Sequence, residues 1–141
     1  MFNILLVAIG GSVGASMRYF AYLIFKTYLF PNYIFLSTIF VNILGSFLIG
    51  FLITLMETKQ LSLDFVKYFL IIGVLGSFTT FSTFSIESID LLLSKKFFQA
   101  FSYIFLSLSL CLLFTFLGLN INKLFNWLKK LKLLKVLKIN D

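Results

Sequence analysis

Four long apolar stretches, Phe2–Tyr28, Tyr33–Met56, Phe65–Leu93 and Phe97–Leu119, are separated by short polar links. Each exceeds the roughly 20 residues that a helix needs to cross bilayer hydrocarbon. The pattern therefore predicts an all-α membrane protein with four transmembrane helices. The links are Leu29–Asn32, which holds the sole proline Pro31, then Glu57–Asp64 and Ser94–Lys96. They leave no room for a soluble catalytic domain, so the chain does not read as an enzyme. Residues 1–122 form the four-helix domain and residues 123–141 a tail. In the tail Leu124, Trp127, Leu128, Leu131 and Leu134 fall at helical spacing among lysines, the pattern of a basic amphipathic helix lying on an anionic leaflet.

Polar residues interrupt these spans at defined places. Hydrocarbon offers no water, so polar side chains and broken backbone persist there only against protein or an aqueous path. In span three the run Gly73–Ser85 interleaves hydroxyls with phenylalanines, and Gly73, Gly76 and the β-branched pair Thr79 and Thr80 weaken the helix at one place. The expectation is a third helix broken near its middle, with freed carbonyls able to hold a hard cation such as sodium. Phe78, Phe81 and Phe84 recur every three residues and would share a face of a continuous helix. A phenyl ring has a positive edge, so such a face can line an anion path; in a chain this rich in Phe, packing is the plain alternative. Ser82, Thr83 and Ser85 place hydroxyls beside the rings, and Glu87 and Asp90 beyond them read as rim charges.

Span two places Asn42 in apolar surroundings, offering two N–H donors and one acceptor either to a neighbouring helix or to an ion. Span four aligns Tyr103, Ser107 and Cys111 at i, i+4 and i+8, a weakly polar stripe suited to a pore wall. Span one holds Gly10, Gly11, Gly14 and Ala15, whose small size lets another backbone approach. It also holds Arg18, which either marks an aqueous vestibule or snorkels to a membrane surface.

Composition sharpens this picture. The chain is 60% hydrophobic and 12% charged, with 20 Phe among 141 residues and a mean hydropathy of +1.05. A soluble domain is about half apolar and a quarter charged, so this is an integral membrane protein. The absence of histidine excludes histidine metal sites and a histidine proton relay, and a single cysteine excludes an internal disulfide. The net charge of +7 owes most to the tail and calls for no nucleic-acid partner. Lys59, Lys67, Lys123, Lys129, Lys130, Lys132, Lys135 and Lys138 fall on the side of the termini, against Lys26, Lys95 and Lys96 opposite. The positive-inside rule puts the termini in the cytoplasm. Without the five lysines from Lys129 onward, the counts are three against three.

Three motifs occur in order: Gly-Gly-x-x-Gly-Ala-x-x-Arg-Tyr at Gly10–Tyr19, Val-Asn-x-x-Gly-Ser-Phe at Val41–Phe47, and Gly-x-x-Gly-x-x-Thr-Thr-Phe-Ser-Thr-Phe-Ser at Gly73–Ser85. Together they resemble the Fluc/CrcB family of bacterial fluoride channels across all four spans, the tail lying outside. The resemblance implies a multi-pass protein of the inner (cytoplasmic) membrane that passes fluoride out of the cell passively. It implies an antiparallel, dual-topology dimer with two pores, either a homodimer or a heterodimer with a paralogous subunit. By similarity Asn42 donates to fluoride, Phe81 and Phe84 present ring edges, and Ser82, Thr83, Ser85, Tyr103 and Ser107 line a polar track. Carbonyls of Gly76 and Thr79 from both subunits would hold one structural sodium ion. Cys111 departs from this pattern, standing where a hydroxyl is expected. The rival expectation is a small dual-topology exporter of organic cations. That chemistry needs a membrane-embedded carboxylate, and spans one, two and four contain none.

Overall fold

A computed structural model describes residues 1–57, 64–121 and 123. Helix α1 (Phe2–Ile24) ends in a π-helical turn, Phe25–Leu29, and a short link leads to α2 (Phe35–Glu57). The third span opens with a π-helical stretch, Phe65–Leu75, and continues as α3 (Gly76–Phe78) and α4 (Phe81–Leu93). Helix α5 (Phe97–Leu119) follows a tight reversal in which Lys95 takes a left-handed backbone, φ 57°. The segments Phe2–Leu29, Phe35–Glu57, Phe65–Leu93 and Phe97–Leu119 are long and apolar enough to span a membrane. They match the expected spans to within two residues at each end. The expected amphipathic tail falls, beyond residue 123, outside the described residues.

Packing is organised in two pairs: α1 lies along the π-helical stretch and α2 along α5. The first pair is close because it is built from glycine. A Cβ on Gly14 would collide with the carbonyl of Val74, and one on Gly10 with that of Phe69. The sequence motif that small residues suggested is thus a contact within the chain. Val41, Leu75 and Phe78 form a buried cluster, flanked by Ala21, Leu48, Ile49 and Leu52, that ties the two pairs together. Outward-facing positions remain apolar, as on α5 at Phe98, Phe105, Leu112 and Phe116. A membrane protein presents such a surface to lipid, where apolar exposure carries no hydration cost.

The third span is broken at Thr79 and Thr80. Both have extended backbone, φ/ψ −78°/155° and −151°/117°, between two helical segments. Gly73 and Gly76 stay helical, so the β-branched pair, rather than the glycines, carries the break. The break also separates Phe78 from the rings that follow it. Phe78 is 4% exposed within the core, whereas Phe81 is 72% exposed. The three phenylalanines therefore do not share one face, because helical periodicity does not continue across extended backbone.

Candidate functional site

The break needs partners for its peptide groups, and α2 provides them. Asn42 accepts from Thr80 N–H at 2.8 Å through Oδ1 and donates to the Thr80 carbonyl at 3.0 Å through Nδ2. The amide thus copies the pairing of a neighbouring strand, satisfying backbone that hydrocarbon would leave unpaired. Asn42 keeps one amide hydrogen beyond this pair. The Thr80 hydroxyl caps α4 by accepting from Thr83 N–H at 3.1 Å. It also meets the hydroxyls of Thr83 at 3.0 Å and Ser82 at 3.2 Å. Gly45 lets α2 pass here, since a Cβ on it would collide with the Thr79 methyl group.

Two recesses meet at Thr80. The larger, about 360 Å³, is lined by Arg18, Tyr19, Tyr22, Thr38, Thr83 and Glu87 among others. The smaller, about 220 Å³, is lined by Asn42, Ser46, Thr79, Phe81, Phe84, Ser107 and Cys111 among others. Arg18 is half-buried on the wall of the larger one. In the smaller recess the Phe81 and Phe84 rings lie 5.4 Å apart, and Phe84 continues to Tyr103 at 5.2 Å. Ser107 is 4% exposed, and its hydroxyl is the one buried side-chain polar atom without a hydrogen-bond partner among the described residues. A buried donor left unsatisfied is costly, and the residue that carries it lines this recess.

The expected site residues therefore separate into groups. Asn42, Phe81, Phe84 and Ser107 come together with Thr79 at the smaller recess, and Thr83 faces the larger one. Ser85 instead donates back to the Phe81 carbonyl at 2.8 Å, and Ser82 stands exposed beside Thr80. Tyr103 is buried, and its hydroxyl donates to Glu87 Oε2 at 2.6 Å. Thr38 donates to Glu87 Oε1 at 3.0 Å.

Glu87 is accordingly not a rim charge. It is a half-buried carboxylate held by hydroxyls from α2 and α5, while Asp90 is exposed. Sequence reading also missed Thr38, Ser46 and Thr80 as parts of these walls. Thr80 was read only as part of the helix-weakening pair, and a hydroxyl within an apolar span was the signal for the other two.

The family profile described as "CrcB-like protein, Camphor Resistance (CrcB)" matches residues 5–119. The chain is similar to proteins named "Fluoride-specific ion channel FluC". It is 43% identical to that of Shewanella sediminis (strain HAW-EB3) over 118 residues, covering 84% of this chain and 94% of the relative. For Shewanella baltica (strain OS155 / ATCC BAA-1091) the identity is 44%, with the same coverage. For Campylobacter hominis it is 42%, covering 84% of this chain and 93% of the relative. The matched region includes both recesses and the break, and ends where α5 ends: the chain belongs to the CrcB-like family.

Proposed function

We propose that this chain is a fluoride-specific ion channel of the bacterial inner membrane, a multi-pass channel and not an enzyme. The observation that carries the reading is the smaller recess, where a spare Asn42 hydrogen and the unpaired Ser107 hydroxyl stand beside the Phe81 and Phe84 rings. Fluoride is small and strongly hydrated, so it must exchange water for close donors as it passes. Neutral donors and ring edges supply these without the deep trap of a fixed cation, the balance of entry and exit that conduction requires. Flow is passive, and a cell negative inside drives the anion outward. The relatives' names support a fluoride channel and give no support to an organic-cation exporter.

Liposomes preloaded with both halides and containing only this protein are expected to release fluoride far faster than chloride, as read by ion-selective electrodes. Equal release of both would defeat the claim of selectivity. No release of either would defeat the channel reading.

The assembly proposed is the antiparallel dual-topology dimer, either a homodimer or a pair with a paralogous subunit. It is supported by the recess being open on one subunit and by the exposure of Phe81. Sodium at the dimer centre fits the chemistry of the break. In a continuous helix Thr80 N–H would bond the Gly76 carbonyl and Thr83 N–H the Thr79 carbonyl. Here those donors go to Asn42 and to the Thr80 hydroxyl. Gly76 is exposed and Thr79 half-exposed, so their carbonyls are available to a cation. Two oxygens from one chain are few for such an ion, and a second subunit would complete the shell. Sodium there would hold two breaks together as a structural ion. A high-resolution map of the assembly is expected to show a peak bridging Gly76 and Thr79 carbonyls of two subunits, and an axis without density would end this part of the proposal.

A further inference from the structure

The smaller recess contains one group that anion conduction does not require. Cys111 is half-exposed on its wall, one helical turn beyond Ser107 on the same face of α5. It is the sole cysteine of the chain, and the chain has no histidine. A lone thiol in a membrane helix usually packs as a small apolar residue. Two observations separate this one from that case. The recess it lines holds about 220 Å³ of space beside polar groups. Its neighbour Ser107 lines the same recess and has a hydroxyl that is buried and unpaired, a donor still without an acceptor. Residues four apart on a helix face stand about 5–6 Å apart at Cβ, so a guest beside the Ser107 oxygen is also within reach of the Cys111 sulfur.

Resting on the channel reading, we propose that Cys111 is a thiol site on the wall of the conduction path, at which a small soft-metal electrophile closes the channel. The chemical class follows from the donor. Thiolate sulfur selects soft metals, and the thiolate is the form that binds. With methylmercury the step is a ligand exchange. The Cys111 S–H bond gives up its proton to solvent, a sulfur–mercury bond forms, and mercury's previous ligand leaves as the anion or water it was. No electron is transferred and no oxidant is needed. The adduct adds a mercury atom and a methyl group, small enough to enter the recess of about 220 Å³ and occupy space beside Ser107. It also brings apolar surface to the level of Asn42 and Ser107, where a crossing anion needs donors. A cysteine facing lipid would accept the same reagent without any effect on conduction, and the test turns on that difference.

The experiment uses the full-length protein in fluoride-loaded phosphatidylcholine–phosphatidylglycerol liposomes. Efflux is read before and after methylmercury chloride, and intact mass is measured on the same sample. One adduct per chain is expected, with flux falling about tenfold or more because an occupied path cannot be crossed. Excess dithiothreitol should remove the adduct and restore flux. The Cys111→Ser variant should carry a measurable flux that the reagent leaves untouched. Complete labelling with undiminished efflux would place the thiol toward lipid and overturn the proposal. Failure to form the adduct would overturn it as well, by showing that the sulfur is out of reach. If the untreated protein releases no fluoride, the channel reading itself fails, a pattern distinct from both.

Discussion

Replacing Asn42 by aspartate is expected to cut fluoride efflux by roughly 100-fold or more, since a fixed negative charge ~4 Å from a passing anion repels it by about 4 kcal/mol at an effective dielectric of ~20 and ~1.4 kcal/mol corresponds to a tenfold change. The substitution keeps the oxygen that accepts from Thr80 N–H at 2.8 Å. It replaces the Nδ2 donor with a second oxygen, which faces the Thr80 carbonyl and any anion in the recess. Asn42→Ala separates folding from conduction. It leaves the Thr80 N–H unpaired, at about 1–3 kcal/mol for a buried group, and takes one donor from a carbonyl that also starts the hydrogen bonding of α4, so its principal loss should be stability. Efflux measured alongside gel filtration and thermal melting distinguishes the two effects. A folded Asn42→Asp protein that conducts within about twofold of the parent would show that the amide supports the break without meeting the ion, its donor being no part of the barrier that sets rate.

Phe81→Ile is expected to lower fluoride flux by about tenfold or more while leaving the fold of the subunit intact, because isoleucine keeps apolar bulk but lacks the polarised ring edge. The prediction is clean at this position because Phe81 is 72% exposed on the subunit, so the fold does not depend on it. Phe84→Ile should lose flux and some stability together, since Phe84 is 7% exposed and packs between the tilted rings of Phe81 and Tyr103. Such aromatic contacts contribute about 0.5–1.5 kcal/mol beyond area burial. Parent-like efflux from Phe81→Ile would mean that the ring serves packing, the plain reading in a chain with 20 phenylalanines.

The positions of the spans could be read directly, because hydrocarbon thickness imposes a length and a polarity that few other structures satisfy. The break was legible too, since a Thr pair after two glycines is weak helix. Its placement at Thr79 and Thr80 follows from Asn42, a partner 38 residues away that local propensity does not register. Side-chain direction was the least legible. Extrapolating helical spacing through the break put Phe78 with Phe81 and Phe84, and extended backbone undid that. Ser85 looked like a track residue by proximity, yet a hydroxyl on a helix in an apolar setting readily bonds its own backbone one turn back. Glu87 looked peripheral because its partners, Thr38 and Tyr103, belong to two other spans. No spacing within one span reveals a cluster assembled from three.

Thr80 lines both recesses, so they approach each other at the break, within roughly 30 Å of hydrocarbon. Where water fills both recesses, it carries the electrical potential of each bulk solution inward, and little of the membrane voltage drops along the water itself. Most of the voltage then falls across the barrier that separates the recesses. An anion crossing that barrier does nearly all of its electrical work there, about 2.3 kcal/mol for each 100 mV. The bilayer is thick, but for the ion the membrane is as thin as its narrowest wall.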